Sequence, residues 1–111
     1  MKLKKIAALG LLFACSSALA GTAASGLLSM PHVLENGVVI VYTSGTRTNT
    51  PSCALTYPDR FAFDSTTAAG KSLWAGILAA FLAEKAVFIA GTNSCSVSGG
   101  SETLSYFYIT G

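Results

Sequence analysis

The sequence contains few of the side chains on which most catalytic and metal sites depend. Its 111 residues include a single histidine, His32, and charged residues make up only 11% of the chain. A Ser–His–Asp arrangement would have to use His32, and no serine lies in a nucleophile-elbow motif. One histidine and few cysteines also provide too few ligands for a metal site. We therefore expect neither enzymatic activity nor a metal or other cofactor.

Positive charge is also scarce outside the N-terminal segment. The whole chain has a formal net charge of +2, but three of its seven basic residues are lysines near the N-terminus. Residues 21–111 keep four basic and five acidic side chains, for a net charge of −1. Nucleic-acid-binding proteins present a basic face, so we expect no nucleic-acid ligand. The sequence also has no glycine-rich phosphate-binding loop, because Gly91, Gly99 and Gly100 lack the required spacing and no helix follows them.

Residues 1–20 have the pattern of a secretory signal peptide. Lysines precede an apolar segment that is too short to span a bilayer, and Ala-Leu-Ala ending at Ala20 fits the signal-peptidase site. We therefore expect an exported protein, periplasmic or secreted, whose mature chain begins at Gly21 and has no transmembrane segment. An alternative is a lipoprotein anchored at Cys15, because Leu-Phe-Ala-Cys resembles a lipoprotein box.

Two cysteines, Cys53 and Cys95, lie in residues 21–111. In an oxidising exported compartment an isolated pair is most simply a disulfide. The segment is long enough for a single domain with a modest core, a size at which a covalent link helps. In the chain-entropy model, a disulfide closing this long loop stabilises the fold by about 3–4 kcal/mol.

Residues 67–84 are predicted to form one long helix. The segment is rich in Ala and Leu, which favour helices, and it follows Asp64 and Ser65, two residues suited to capping a first turn. Helical spacing places its large apolar side chains on one broad face, which we expect to cover the core. These residues are Leu73, Trp74, Ile77, Leu78, Phe81 and Leu82.

The opposite face of the predicted helix has only small side chains, contributed by Ala68, Ser72, Gly76, Ala79 and Ala83. One interpretation is a solvent-exposed face made of good helix formers. The other is close packing against a second element, such as the same helix of another copy in a homo-oligomer. A glycine inside a helix costs about 1 kcal/mol relative to alanine, which favours the second interpretation.

The rest of the sequence predicts five strands. Asn36-Gly37 is a strong hairpin signal between the first two, and Pro31 limits the first strand to a sheet edge or a bulge. We expect residues 21–26 to be a mobile terminus and residues 44–52 a polar loop. The predicted strands are 27–35, 38–44, 53–64 with a break at 57–59, 86–90 ending near Cys95, and 103–110 after a turn at 98–101.

Three strands, one long helix and two further strands follow each other in the order of an OB-fold. This is a mostly β fold of the α+β class, in which five strands form a partly open barrel and the helix lies between strands 3 and 4. Residues 21–111 would then be a single OB-like domain. The same elements also fit a sandwich in which the helix crosses an open antiparallel sheet.

Residues 53–111 resemble the binding subunits of cholera-type toxins. The matching features are Asp64-Ser65, the helix 67–84, the strand 86–90, Cys95 and the closing strand 103–109. The segment is also similar to small exported Gram-negative proteins with an RFAFD…GK…GT…C…E pattern. The resemblance implies an OB-fold binding subunit and suggests ring assembly. The toxin subunits have a charged pore-facing helix and sugar-binding motifs that this chain lacks, so none of their binding residues is transferred.

OB-folds bind ligands through the face of strands 2 and 3 and through neighbouring loops. By this analogy the candidate ligand-binding residues are Tyr42, Arg47, Asn49, Asn93, Ser101 and Glu102. Their hydroxyl, amide and aromatic groups suit neutral carbohydrate better than phosphate. We expect an exported, disulfide-stabilised, non-enzymatic binding module, homo-oligomeric in one version, that recognises a glycan or a protein surface. The alternative is a monomeric periplasmic or surface protein with a structural or enzyme-inhibitory role.

Overall fold

The computed structural model describes residues 19–111, so the body of the predicted leader and the Cys15 alternative lie outside the described residues. This part of the chain is a mixed α+β, mostly β structure with one long helix, as predicted. Its elements are β1 (Thr22–Gly26), β2 (Leu28–Val33), β3 (Val38–Thr43), β4 (Arg47–Thr48), a 3₁₀ turn (Ser52–Ala54), β5 (Arg60–Asp64), α1 (Ala68–Leu82), β6 (Val87–Gly91) and β7 (Glu102–Ile109).

The strands form one seven-stranded sheet in the order β2-β3-β5-β7-β6-β1-β4. Paired strands are antiparallel except β5 and β7, which run parallel. Only Leu27 separates β1 from β2, yet β1 pairs with β6 and β2 pairs with β3. The continuous segment β1–β2 therefore contributes strands near both ends of the strand order. The sheet has seven strands, where the sequence predicted five.

The segment predicted to be a mobile N-terminus is strand β1. Thr22 and Ala23 pair with Ala90 and Ile89 of β6, and the Ala23 side chain is fully buried. The prediction is wrong because small side chains indicate two different things. They are common in mobile termini, but they are also needed where a strand fits closely against its neighbours, as β1 does between β6 and β4.

The predicted hairpin is confirmed, and β2 is an edge strand as Pro31 indicates. The pairing of β2 with β3 shifts register between Ser29 and His32, which places the irregularity at Met30-Pro31, where Met30 has a positive φ of 47°. Other predicted boundaries are wrong. The third strand is only Arg60–Asp64, because residues 52–54 form a 3₁₀ turn, and the loop after β3 contains the short strand β4.

The core lies on the side of the sheet covered by α1. Alternate residues of β3 and β5 point into it, and Val39, Val41, Phe61 and Phe63 are all buried there. The residues between them, including Ile40 and Ala62, form a second, smaller buried cluster on the opposite side. Both faces of these two strands are therefore covered, which explains why β3 is a continuous apolar run.

Helix α1 begins within one residue of its predicted start, but neither of the two predicted cap residues caps it. Thr67 is the N-cap, and its side-chain oxygen accepts a hydrogen bond from the Gly70 nitrogen at 2.9 Å. Asp64 instead accepts from the backbone nitrogen of Thr66 at 2.9 Å and from its hydroxyl at 2.6 Å. Asp64 and Ser65 therefore form the turn into the helix and do not cap it.

Most of the predicted apolar face of α1 covers the core, but Leu78 and Leu82 do not pack in the core cluster. Ile77 is fully buried, and Leu73, Trp74 and Phe81 pack against the core cluster. Leu82 is 75% exposed because the helix ends there and the chain turns away.

Gly76, on the predicted small face, packs against the protein's own sheet. A Cβ atom at this position would lie 2.6 Å from Cζ of Phe107 in β7, so the ring occupies the space that a side chain would need. This contact accounts for a glycine in mid-helix without a second copy. Self-association through the other residues of that face, which are exposed, stays a prediction: Ala68, Ser72, Ala79 and Ala83. In residues 19–111 no helix is long and apolar enough to cross a membrane.

Candidate functional site

The predicted disulfide between Cys53 and Cys95 is confirmed, with the two Cα atoms 6.2 Å apart. It joins the loop between β3 and β5 to the loop between β6 and β7. Cys95 lies in this second loop, because β6 already ends at Gly91. The two longest loops of the described chain are thereby held next to each other.

Between these two loops lies an open cavity of about 500 Å³, which we call the cleft. Its walls contain amides, hydroxyls, a proline and the edge of the disulfide, and no charged side chain lines it. The lining residues are Leu19, Asn49, Thr50, Pro51, Ser52, Cys53 and Asn93. This surface can offer donors and acceptors to an uncharged polar ligand.

Two of the predicted ligand-binding residues, Asn49 and Asn93, come together in the cleft from different loops. Both have left-handed backbone conformations, with φ of 56° and 66° respectively. Asparagine tolerates this conformation better than most residues, and such backbone is common at functional sites. Among residues 19–111, neither side-chain amide makes a hydrogen bond to another group of the protein.

A buried carboxylate, Glu102, contacts the backbone of one cleft residue, Asn93. Its side chain is fully buried, and Oε2 accepts hydrogen bonds from the backbone nitrogens of Gly21 and Asn93, both at 2.9 Å. Oε1 forms an ion pair with Arg47. We call Gly21, Arg47, Asn93 and Glu102 the polar cluster. Through Asn93, this cluster sets the backbone of one cleft wall.

The side chain of Arg47 is directed into the protein and is only 10% exposed. Besides Glu102, its guanidinium donates to the carbonyl of Pro58 and, from Nε at 3.0 Å, to the carbonyl of Thr22. It also lies over the ring of Phe61, 4.4 Å from the centroid. Arg47 and Glu102 are thus placed to hold the loops in position, and their polar atoms are occupied within the protein.

Two glycines make room for the buried carboxylate. A Cβ atom at Gly91 would lie 2.2 Å from Cδ of Glu102, and one at Gly21 would lie 2.2 Å from its Oε1. Any larger residue at either position would displace Glu102. Sequence reasoning missed both positions. The signal was weak: Gly91 looked like a strand end, and Gly21 like the start of a mobile segment.

The remaining predicted residues, Tyr42 and Ser101, lie outside the cleft lining and meet at Arg60. The Arg60 guanidinium donates from Nε to the Ser101 hydroxyl at 2.5 Å and contacts the Tyr42 hydroxyl at 3.5 Å. It also covers the ring of Tyr57, 3.9 Å from the centroid. Arg60 was not among the predicted residues, although its position at the start of a strand next to a Pro-Asp turn was visible in the sequence.

The cleft thus lies between two loops that the disulfide joins and that the polar cluster contacts. In the part of the chain that the structure describes, no group of three or more His, Cys, Asp or Glu side chains could hold a metal ion. Comparison of the chain with protein-family models, with curated proteins and with solved structures found no match.

Proposed function

We propose that the protein is an exported, non-enzymatic binding module with an OB-like topology, and that its cleft binds a neutral glycan. The observation that carries the proposal is the pair of asparagines, Asn49 and Asn93, which line one cleft from two loops joined by a disulfide.

The strand order supports the OB-like part of the proposal. When β1 and β2 are counted as one bent strand and β4 as a short addition at the edge, five strands remain, with α1 between the third and the fourth. The first strand then pairs with the second through β2 and with the fourth through β1, while the third and fifth run parallel. OB-folds use the loop between strands 4 and 5 for ligands, which here is residues 92–101.

The chemistry of the cleft favours an uncharged, hydroxyl-rich ligand. An amide both donates and accepts, so two amides and two nearby hydroxyls, from Thr50 and Ser52, can match the hydroxyls of a sugar. Ligand sites usually have volumes of about 300–1,000 Å³, and the cleft lies in this range. The disulfide and the polar cluster reduce the conformational entropy lost when the ligand binds.

A second candidate function is supported by a different surface. On the outer side of β6 and β7, Tyr106 and Tyr108 are 53% and 52% exposed, and Phe88 stacks on Tyr108 with a centroid distance of 4.9 Å. Exposed aromatic groups are enriched at protein interfaces. A monomeric protein with a structural or inhibitory role would use this surface to contact another protein.

The test is a glycan array probed with the exported, oxidised protein, followed by affinity measurements on Asn49→Gly and Asn93→Gly. Glycine keeps the left-handed backbone and removes only the amide. Loss of one hydrogen bond of about 0.5–1.5 kcal/mol predicts a weakening of about 2- to 12-fold for each variant.

Glu84→Gly is the matched control, because Glu84 is exposed, has a left-handed φ of 54° and lies outside the cleft. Its affinity should equal that of the wild type. The proposal would be overturned if no glycan bound, or if both asparagine variants bound the glycan as tightly as the wild type. Loss of a protein partner on Tyr108→Ala, with no glycan bound, would support the second candidate function.

A further inference from the structure

The residue that follows the predicted cleavage site is bonded to the buried carboxylate. The nitrogen of Gly21 donates to Oε2 of Glu102 at 2.9 Å, and both residues are buried. Its carbonyl accepts from the Gly91 nitrogen at 2.8 Å, which fixes the residue from the other side. In the uncleaved chain this nitrogen is an ordinary amide attached to Ala20.

We infer that removal of the leader converts this hydrogen bond into an ion pair, so that the new α-ammonium of Gly21 becomes a permanent partner of Glu102. The inference rests on the export proposed above. Hydrolysis of the Ala20–Gly21 bond consumes one water and leaves a carboxylate on Ala20. The released amine of Gly21 takes up the proton lost by that carboxyl group and is charged at neutral pH.

The charges around Glu102 favour this change. Before cleavage the carboxylate has one cationic partner, Arg47, and two neutral donors. After cleavage one neutral donor becomes a cation, which adds the attraction between two opposite charges to a hydrogen bond that the carboxylate already strengthens. The other arginine nearby, Arg60, contacts Ser101 and Tyr42 and not Glu102.

Only glycine fits at the first position of the mature chain. A Cβ atom on residue 21 would lie 2.2 Å from Oε1 of Glu102, 2.5 Å from a guanidinium nitrogen of Arg47 and 3.0 Å from the carbonyl oxygen of Asn49. The close fit means that the position of the nitrogen next to the carboxylate is set by the surrounding structure. It also explains why a glycine directly follows the cleavage motif.

Cleavage changes the cleft at the same time. Leu19 lines the cleft in the described chain and leaves with the leader. The mature cleft would therefore be more open, while the new charge stays paired with Glu102 beneath the surface.

The test uses the full chain, expressed with its leader and purified after export, with its N-terminus identified by mass spectrometry. The purified protein is treated with an amine-selective acylating reagent, and modification of the Gly21 amine is followed in the folded protein and in denaturant. We expect modification in the folded protein to be at least tenfold slower. Glu102→Gln should remove most of this protection, whereas Glu35→Gln, at an exposed position, should leave it unchanged.

If Glu102→Gln does not fold, the ratio of folded to denatured rates in the wild type still tests the inference. Equal rates would overturn the inference, and so would a mature chain that begins at a residue other than Gly21. Either result leaves glycan binding by the cleft intact, because that proposal is tested by Asn49→Gly and Asn93→Gly. Failure of those variants to alter binding would in turn leave the ion pair intact.

Discussion

The helix-covered core and the polar cluster stabilise the fold in different ways. The core combines apolar side chains from six strands and α1, among them Ile77, Ile89 and Leu104, and its stabilisation is spread over many contacts. In the polar cluster, one carboxylate satisfies two backbone nitrogens and one guanidinium. When one side chain is removed from the core, many neighbours each lose a small contact. When one is removed from the polar cluster, a few buried polar groups each lose a hydrogen bond or an ion pair.

The largest effect is therefore expected at Glu102. Glu102→Ala leaves the Arg47 guanidinium and the two backbone nitrogens buried without their acceptor. Removing one partner of a buried ion pair costs about 3–5 kcal/mol, so the free energy of unfolding should fall by about that amount in urea denaturation. Glu35→Ala removes an exposed carboxylate and should change it by less than about 0.5 kcal/mol.

If Glu102→Ala and Glu35→Ala lowered the free energy of unfolding by similar amounts, the proposed difference between the core and the polar cluster would be contradicted. They would mean that water reaches Arg47 easily after the substitution, so that the polar cluster contributes no more than surface charges do. The measurement should be made on the oxidised protein, because the Cys53–Cys95 bond limits how far the two loops can separate.

The sequence predicted the helix-covered core better than the polar cluster, for a physical reason. Helical periodicity at Leu73, Trp74 and Ile77, and the apolar run of β3, are local patterns that remain visible in the chain. The change of side-chain direction in β7 is not visible in this way. Ala90 pairs with Tyr106 but Gly91 pairs with Leu104, and this irregularity reverses which residues face inward.

For the site, the sequence identified the right loops but not how their residues are connected. Asn49 and Asn93 could be predicted as loop amides, and Cys53 and Cys95 as a disulfide. The burial of Glu102 depends on Gly21, a residue 81 positions away along the chain. No local pattern records such a contact. Without it, a glutamate at the start of a strand looks like an exposed ligand-binding residue.

A medium effect is expected where α1 meets β7. Gly76→Ala gains about 1 kcal/mol from helix propensity, but the added methyl group meets the Phe107 ring. Overpacking of this kind costs about 1–3 kcal/mol, so we expect the variant to be less stable than the wild type. In a Phe107→Leu background, where the ring is absent, the same substitution should be stabilising.

The matched control is Ala75→Gly at the neighbouring exposed position of the helix. It should cost about 1 kcal/mol in both backgrounds, because it reports helix propensity alone. Equal effects of Gly76→Ala with and without the Phe107 ring would show that the ring moves aside at no cost. The space at Gly76 would then need another explanation, and packing against a second copy would again become the leading one.

The smallest effect is expected at Asp64, the last residue of β5, at the turn into α1. Hydrogen bonds from the side chain and then the backbone of Thr66 lower the pKa of its carboxyl group. A carboxyl group whose pKa is lower in the folded than in the unfolded protein stabilises the fold above the unfolded pKa, and this contribution is lost as the pH falls through the folded pKa.

Asp64→Asn should therefore lower the melting temperature slightly at neutral pH, and the difference from the wild type should shrink in acid. Scans of both proteins from neutral to acidic pH, with Glu35→Gln as control, measure it. A difference that grows in acid would mean that the turn does not favour the charged carboxylate.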